Sequence, residues 1–483
     1  MHRWWMPLVA LLAIVPAGCR TPEPATTAAA PTTTASKAVP AKRWHYTVRV
    51  DESLVRLELE VCFEQGVPAS LRPQMGASFG ALRAARRVEG GAPLHITDKA
   101  VLTGDLETGQ CAALEFDVDA LLSSAGSRAD AMRYPHAVVL SPDFWLWSPD
   151  RRARGFEATA RFELPEDISV AVPWPRMDDG RYRVSWSTFK WRNHAAMGRL
   201  EHEVMEVPGA ALEISWVGGA MPLGKPRLRR WLRQAAEVTA SLRGHFPVER
   251  AQILLMPTRG DDVTFGTVAR GGGPSVALMV GKDIDEAALE DDWVATHEMV
   301  HLWLPKIKRA DAWLYEGFAT YYEAILRART GDITPLRAME RLHDGFERGR
   351  RSGSGRTLQQ ESIDMFQTYA FWRVYWSGAA LALKADVALR TGQGADKSLD
   401  DQIARIESCC RHKVRSWTAA ELLEEASGGR PEGLGFEARR HLGGVDFPDM
   451  TETYQALGWR IDANGMPAQT AADALWRQVV SPQ

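Results

Sequence analysis

No block of lysine and arginine runs along this chain, and its formal net charge is only -3 over 483 residues. Phosphate recognition needs clustered cations, so no nucleic acid is expected as a partner. Beyond the N-terminal segment no apolar stretch approaches the roughly 20 residues that span a bilayer. No segment repeats. Cysteine is scarce, five in all, and the four after Cys19 allow three pairings that the sequence leaves open. What is present is globular material: 45% hydrophobic residues, mixed with charges throughout, enough to bury a sizeable core. The length allows two or three domains.

The N-terminus departs from this pattern. Arg3 gives a positive start, residues 6–15 are apolar, and the stretch ends in Pro16-Ala17-Gly18-Cys19. That arrangement resembles a bacterial lipoprotein signal over residues 1–19, which implies cleavage before Cys19 and a lipid on its side chain. Pro16 stands where such signals usually carry Leu, and an ordinary secretory signal cut nearby is the other reading. Residues 20–42, rich in Thr, Ala and Pro, hold almost no large apolar side chain and cannot offset chain entropy by burial. They are expected to form a disordered tether. The expected location is the bacterial cell envelope, with the body exported, facing the periplasm and held to the membrane by the lipid on Cys19.

Over residues 43–218 the pattern is that of strands. Leu57, Leu59, Val61 and Phe63 alternate with Glu58, Glu60 and Cys62, and Leu114, Phe116 and Val118 alternate with Glu115 and Asp117. A period of two marks half-buried strands. Phe156, Ala158, Ala160 and Phe162 give a further run, and Leu212, Ile214 and Trp216 a last one. Cys62 and Cys111 fall on polar strand faces, where a bridge and two free thiols are both open. An antiparallel, sandwich-like β domain is expected here. Residues 219–483 change character. Short buried strands near residues 252–256 and 275–280 give way to helical spacing at 286–304, 311–329, 335–348, 372–389 and 419–426. This second domain reads as α+β and mostly helical.

His297-Glu298-Met299-Val300-His301 carries the chemistry. Positions four apart lie on one helix face, so the two imidazoles can grip one Zn²⁺. Glu298 follows the first ligand and can reach a water without ligating. Trp293, Val294, Val300, Leu302 and Leu304 supply apolar cover, and Pro305 stops the helix. A second helix opens with Ala312-Trp313-Leu314-Tyr315-Glu316-Gly317-Phe318. A Glu there can fold back as third ligand and leave the open position that catalytic zinc keeps. Glu323, two turns on, is placed to orient a ligand His through its second ring nitrogen; a solvated helix charge is the plainer reading.

These segments resemble the gluzincin metallopeptidases, and are similar to both the aminopeptidase N and the glycyl aminopeptidase families. The resemblance implies a β domain ahead of a thermolysin-like catalytic domain. It also implies one zinc per chain on His297, His301 and Glu316, Glu298 as base, and a peptide or protein substrate. Leu302-Trp303 and Tyr321-Tyr322 lean towards the glycyl aminopeptidases. Val374-Tyr375-Trp376-Ser377-Gly378-Ala379 matches the segment whose Tyr stabilises the tetrahedral intermediate; by that match the role falls on Tyr375, with Tyr369 the alternative. The chain departs from the pattern where aminopeptidases place a Glu for the substrate's amine in a glycine-rich segment. Phe265-Gly266-Thr267-Val268-Ala269-Arg270-Gly271-Gly272-Gly273 has glycines and no acid. Gly271, Gly272 and Gly273 are candidates for close approach of a substrate backbone. Arg270 puts a positive charge there, against recognition of a free amine. Two other readings compete: a catalytically silent, peptide-binding envelope lipoprotein, and a related zinc hydrolase of a non-peptide substrate. The adjacent Cys409 and Cys410 read as structural or incidental.

Mass spectrometry of the mature N-terminus tests the anchor. An acylated Cys19 is expected, with the body released by proteolysis within residues 21–42. A free, unacylated start downstream of Cys19 replaces the lipoprotein with a simply secreted protein.

Overall fold

The structure is a computed structural model. It describes residues 42–126, 130–149, 156–218, 221–392, 394, 396–428, 430, 432–470 and 473–481. The signal segment with Cys19 and the tether to residue 41 lie outside the described residues. Lys42, given to the tether above, opens the first strand, Lys42–Val50.

Three larger sheets, with two small ones of two and three strands beside them, and a helical mass make up the described residues. The first sheet has the order Tyr182–Val184, Phe156–Glu163, Lys42–Val50, Arg56–Gln65, Cys111–Asp117, Leu82–Arg87. Leu57, Leu59, Val61 and Phe63 are all fully buried, as their alternation requires. The sheet is mixed rather than antiparallel, because Lys42–Val50 pairs in parallel with Phe156–Glu163. Parallel neighbours need a long crossover, and the chain between them supplies it by building strands of the second sheet. Cys62 and Cys111 face each other across adjacent strands and are bonded, as are Cys409 and Cys410.

The second sheet is small, with the order Ser169–Ala171, Ala196–Gly198, Ala137–Leu140, Ala131–Tyr134. Alternation splits its side chains between two cores. Val138, Leu140 and Met197 pack with Trp44, Leu59 and Phe116 of the first sheet. Ala137, Val139 and Ala196 pack the other way, onto Leu254, Met256, Ala277 and Met279.

Those last residues belong to the third sheet, ordered Glu201–Val207, Ala210–Trp216, Arg250–Thr258, Ser275–Gly281, Val263–Ala269. Here the expected boundary at residue 218 moves. Leu212–Trp216 pairs in parallel with Ala251–Leu255 of the catalytic half. Its alternation marked a strand correctly but said nothing of its partner, and Leu212 and Ile214 find theirs in Leu228, Leu232 and Ile253. The N-terminal β region therefore ends near Gly198.

Beyond the third sheet the chain is mostly helical. The helix expected over 286–304 is broken into Glu286–Asp291, Val294–Val300 and a 3₁₀ turn His301–Trp303. Asp292 causes the break, since its carboxylate accepts from the Val294 and Ala295 amides and restarts the helix. Leu358–Thr368 was not foreseen; Thr357 and Gln360 start it as a capping box. No described helix is long and apolar enough to cross a membrane.

The centre of this region is the crossing of Ala312–Arg329 with Phe371–Thr391. A Cβ added at Gly378 would lie 2.0 Å from the Trp313 carbonyl oxygen, and one at Gly317 would lie 2.3 Å from the Gly378 Cα. The two backbones touch, so neither residue tolerates a side chain. Gly378→Val should destabilise the protein by about 3 kcal/mol, the upper range of overpacking, because backbone rather than a flexible side chain must yield. Urea denaturation measures it, and a loss below about 0.5 kcal/mol would mean the helices can part freely.

Candidate metal centre

Val294–Val300 presents His297 one turn before His301, the first residue of the following 3₁₀ turn. Glu316 enters from the second turn of Ala312–Arg329. The three converge. His297 Nε2 lies 3.4 Å and His301 Nε2 3.3 Å from Glu316 Oε2. Both histidines are almost wholly buried, at 3% and 2% exposure. Zinc bonds of about 2.0–2.1 Å set at a tetrahedral angle place neighbouring ligand atoms roughly 3.3 Å apart. The spacing found here matches. The donor set, two imidazoles and a carboxylate, is also that of a catalytic zinc with one position left open. Two other groupings of potential ligands among the described residues contain the bonded cysteines, which have no thiolate to offer.

Glu316 and His301 fit a metal as they stand, whereas for His297 burial lowers the imidazole but Glu316, Glu298 and Glu323 outweigh it and raise it above its usual value. Burial pushes the Glu316 carboxyl up, but His301 and His297 beside it outweigh burial and hold it down to about 2, so it is ionised. Burial holds His301 down to about 4, with Glu316 opposing and His297 and Arg270 assisting. An unprotonated imidazole beside an ionised carboxylate is the state a metal needs.

Glu298 and Tyr375 stand around the ligands. Burial raises Glu298 to about 8, with Glu316 adding to the rise and His297 opposing it. Tyr375, on Phe371–Thr391, lies parallel to the His297 ring with centroids 6.2 Å apart. Burial, then the charges of Glu316 and Glu298, push its phenol far above its usual value, so it stays a hydrogen-bond donor. The alternative, Tyr369, is 76% exposed at a helix end with left-handed backbone and does not line the cavity that holds His297, Glu298 and Tyr375.

Three expectations are corrected. Glu323 does not hydrogen-bond a ligand histidine. Its carboxylate accepts from Arg327 and Arg341, each at 3.3 Å, and both His Nδ1 atoms are buried without a partner among the described residues. Gly271, Gly272 and Gly273 approach the protein's own backbone and side chains closely. They press on the N-terminal β region, where added Cβ atoms would lie 2.3 Å from Asn193, 2.2 Å from Trp174 and 2.0 Å from the Pro173 carbonyl. Arg270 neither faces the substrate nor points to solvent. It donates to the carbonyls of His301 at 2.8 Å and Leu304 at 2.7 Å, closing the C-terminal end of the metal helix, where orphan carbonyls need donors.

Two residues of the site escaped sequence reasoning. Tyr315 stacks on the His301 ring at 3.8 Å; its place just before Glu316 was the only signal. Gly266 lies against the base, since a Cβ there would sit 2.4 Å from Glu298 Cγ. It belongs to Val263–Ala269, the terminal strand of the third sheet. Two cavities open on either side of the centre. One, of about 480 Å³, is lined by Gly266, Trp293, His297, Glu298 and Tyr375. The other, of about 900 Å³, is lined by Phe265, Lys306, Tyr315 and Glu316.

The fold is shared with solved structures described as aminopeptidase N family and M1 zinc metallopeptidases. The chain resembles an aminopeptidase N family protein from Idiomarina loihiensis with a TM-score of 0.69 and 15% identity, over 89% of this chain and 82% of that one. It also resembles an M1 zinc metallopeptidase from Deinococcus radiodurans with a TM-score of 0.52 and 18% identity, over 85% of this chain and 94% of that one. Yeast LTA4 hydrolase matches at a TM-score of 0.50 and 12% identity, over 83% of this chain and 66% of that one. No family model matches, and no curated protein matches by sequence.

Elemental analysis of protein purified without chelator should find about one zinc per chain. His297→Ala, His301→Ala and Glu316→Ala should each lose most of it, and Glu298→Ala should keep it. Less than about half a zinc in the wild type would count against three-ligand binding.

Proposed function

We propose that the protein is a zinc-dependent peptidase with a thermolysin-like centre, lipid-anchored through Cys19 in the bacterial cell envelope. The observation that carries the hydrolytic reading is the convergence of His297, His301 and Glu316 at ligand spacing, with Glu298 and Tyr375 beside them. A centre kept only for its metal has no use for either of those two.

A zinc held by His297, His301 and Glu316 would supply Lewis-acid chemistry, drawing charge from a scissile carbonyl and making a water easier to deprotonate. Glu298 takes the proton of the attacking water and passes it to the departing amine. Its raised value suits a group that must both accept and release a proton near neutral pH. Tyr375 donates its phenolic hydrogen to the carbonyl oxygen as negative charge gathers there. The outer edge of Val263–Ala269 has no strand partner among the described residues, and offers an extended peptide a place to pair. Gly266 keeps that edge close to Glu298.

Digestion of a broad peptide library tests this. The wild type should cleave. Glu298→Ala should retain zinc and lose hydrolysis, and Tyr375→Phe should lose about 10²–10³ in kcat, the usual loss for one oxyanion donor. Equal cleavage by wild type and Glu298→Ala would make the peptidase assignment wrong.

A further inference from the structure

The two cavities beside the metal centre carry opposite charge. The smaller holds Glu298 together with Asp262, Asp291 and Asp292, and neither Lys nor Arg lines it. The larger is lined by Arg192, Lys306, Lys308 and Arg309, and its one acidic side chain is Glu316, which the metal centre takes. Arg192 is ion-paired with Asp130. Arg309 lies over the Phe366 ring, 4.0 Å from its centroid. Among the described residues Lys306, Lys308 and Arg309 have no ion-pair partner, whereas Arg192 on the same wall pairs with Asp130.

The roles proposed above assign each half of a peptide to a cavity. Glu298 hands its proton to the departing amine, so the leaving half lies on the Glu298 side, in the smaller cavity. The acyl half, N-terminal to the scissile bond, then lies along the Tyr315 and Glu316 side, in the larger one. Resting on the peptidase reading, we infer that this larger cavity is a subsite for an acidic side chain, so that the protein cleaves peptides carrying Asp or Glu one or two residues before the scissile bond.

The local field points the same way. Lys306 is open to solvent through the cavity, yet protein encloses much of it. Burial, then Arg270 and Arg192, hold its amine down to about 8. A carboxylate entering there gains paired cations without first breaking an existing ion pair at Lys306, Lys308 or Arg309. A protonated N-terminal amine would meet like charge and lose its water, which is costly. The same arrangement removes any dependence on a free amino terminus.

The test uses the purified zinc-loaded chain and peptides that are N-acetylated and C-terminally amidated, so that a side chain carries the one carboxylate. They differ only in Glu, Gln or Lys at the two positions before the bond cut. The Glu peptide should exceed the Gln peptide at least tenfold in kcat/KM, with the Lys peptide slower again. The margin should shrink as salt rises from about 50 to 300 mM, because exposed cations are screened. Lys306→Glu should reverse the order of the Glu and Lys peptides, a reversal that only a folded, active variant can display. Binding is read separately on Glu298→Gln by fluorescence anisotropy, where the Glu peptide should again be at least tenfold tighter than its Gln counterpart. Equal cleavage of all three by the wild type overturns this inference and leaves the peptidase reading intact. Cleavage of none overturns the peptidase reading, and the binding arm then decides the subsite: no preference for Glu overturns it too. Tight binding of a Gln peptide with a free C-terminus, matching the Glu peptide, overturns the side-chain assignment in favour of a terminal carboxylate.

Discussion

Two polypeptide backbones touch where the helix that carries Glu316 crosses the helix that carries Tyr375. Gly317 and Gly378 meet there with no side chain between them. The placement of Glu316 and Tyr375 relative to each other depends on that contact. Gly317 follows Glu316 directly, and Gly378 lies three residues after Tyr375. A shift of either helix by the width of a methyl group would therefore move Glu316 away from His297 and His301, or the Tyr375 ring away from His297. Close contact of this kind resists small displacements because packed interiors have no slack to absorb them.

The helix Ala312–Arg329 can hold this position because it is buried almost all round, including at its charged end. Arg327 pairs with Glu323 and Asp332, and Arg329 pairs with Asp400, which also accepts from Tyr322 at 2.6 Å. Asp386 on the crossing helix accepts from Tyr321 at 2.8 Å and from Arg390 at 3.0 Å. Buried ion pairs of this kind add little net stability, since desolvation consumes most of their attraction. Their effect is on register. A slide of one helix along the other would strand a charge without its partner, which is far more costly than keeping the pairs.

How much of this could be read from the sequence depends on distance along the chain. His297 and His301 were legible because helix periodicity alone brings them together, and Glu316 because its segment resembles a known one. The strands from Leu57 to Phe63 and from Leu114 to Phe116 were legible for the same local reason. Partners were not. The strand at Leu212–Trp216 announces its alternation and hides that it pairs with Ala251–Leu255. Glu323 had one arginine within reach in the sequence, Arg327, four residues on; its second, Arg341, arrives from another helix. Gly271, Gly272 and Gly273 look like a place for a ligand's backbone, and the backbone they accommodate is the protein's own. Small residues mark close approach, but sequence does not say to what.

Arg270 shows the same limit with a larger consequence. As a charge in a glycine-rich segment near the site it reads as a substrate contact. In place it closes the metal helix, at the end where unpaired carbonyls gather negative potential. That position lets one side chain act on three neighbours. It satisfies the His301 and Leu304 carbonyls. It joins burial in keeping the His301 imidazole unprotonated, the form in which it can ligate. It adds its field to that of Arg192 at Lys306, on the wall of the larger cavity. An acid at position 270 could do none of these things, since it would set a negative charge against the carbonyls of a helix end and raise the proton affinity of a metal ligand. The sign of the charge is thus set by the needs of the metal helix, and its field reaches Lys306 on the wall of the larger cavity.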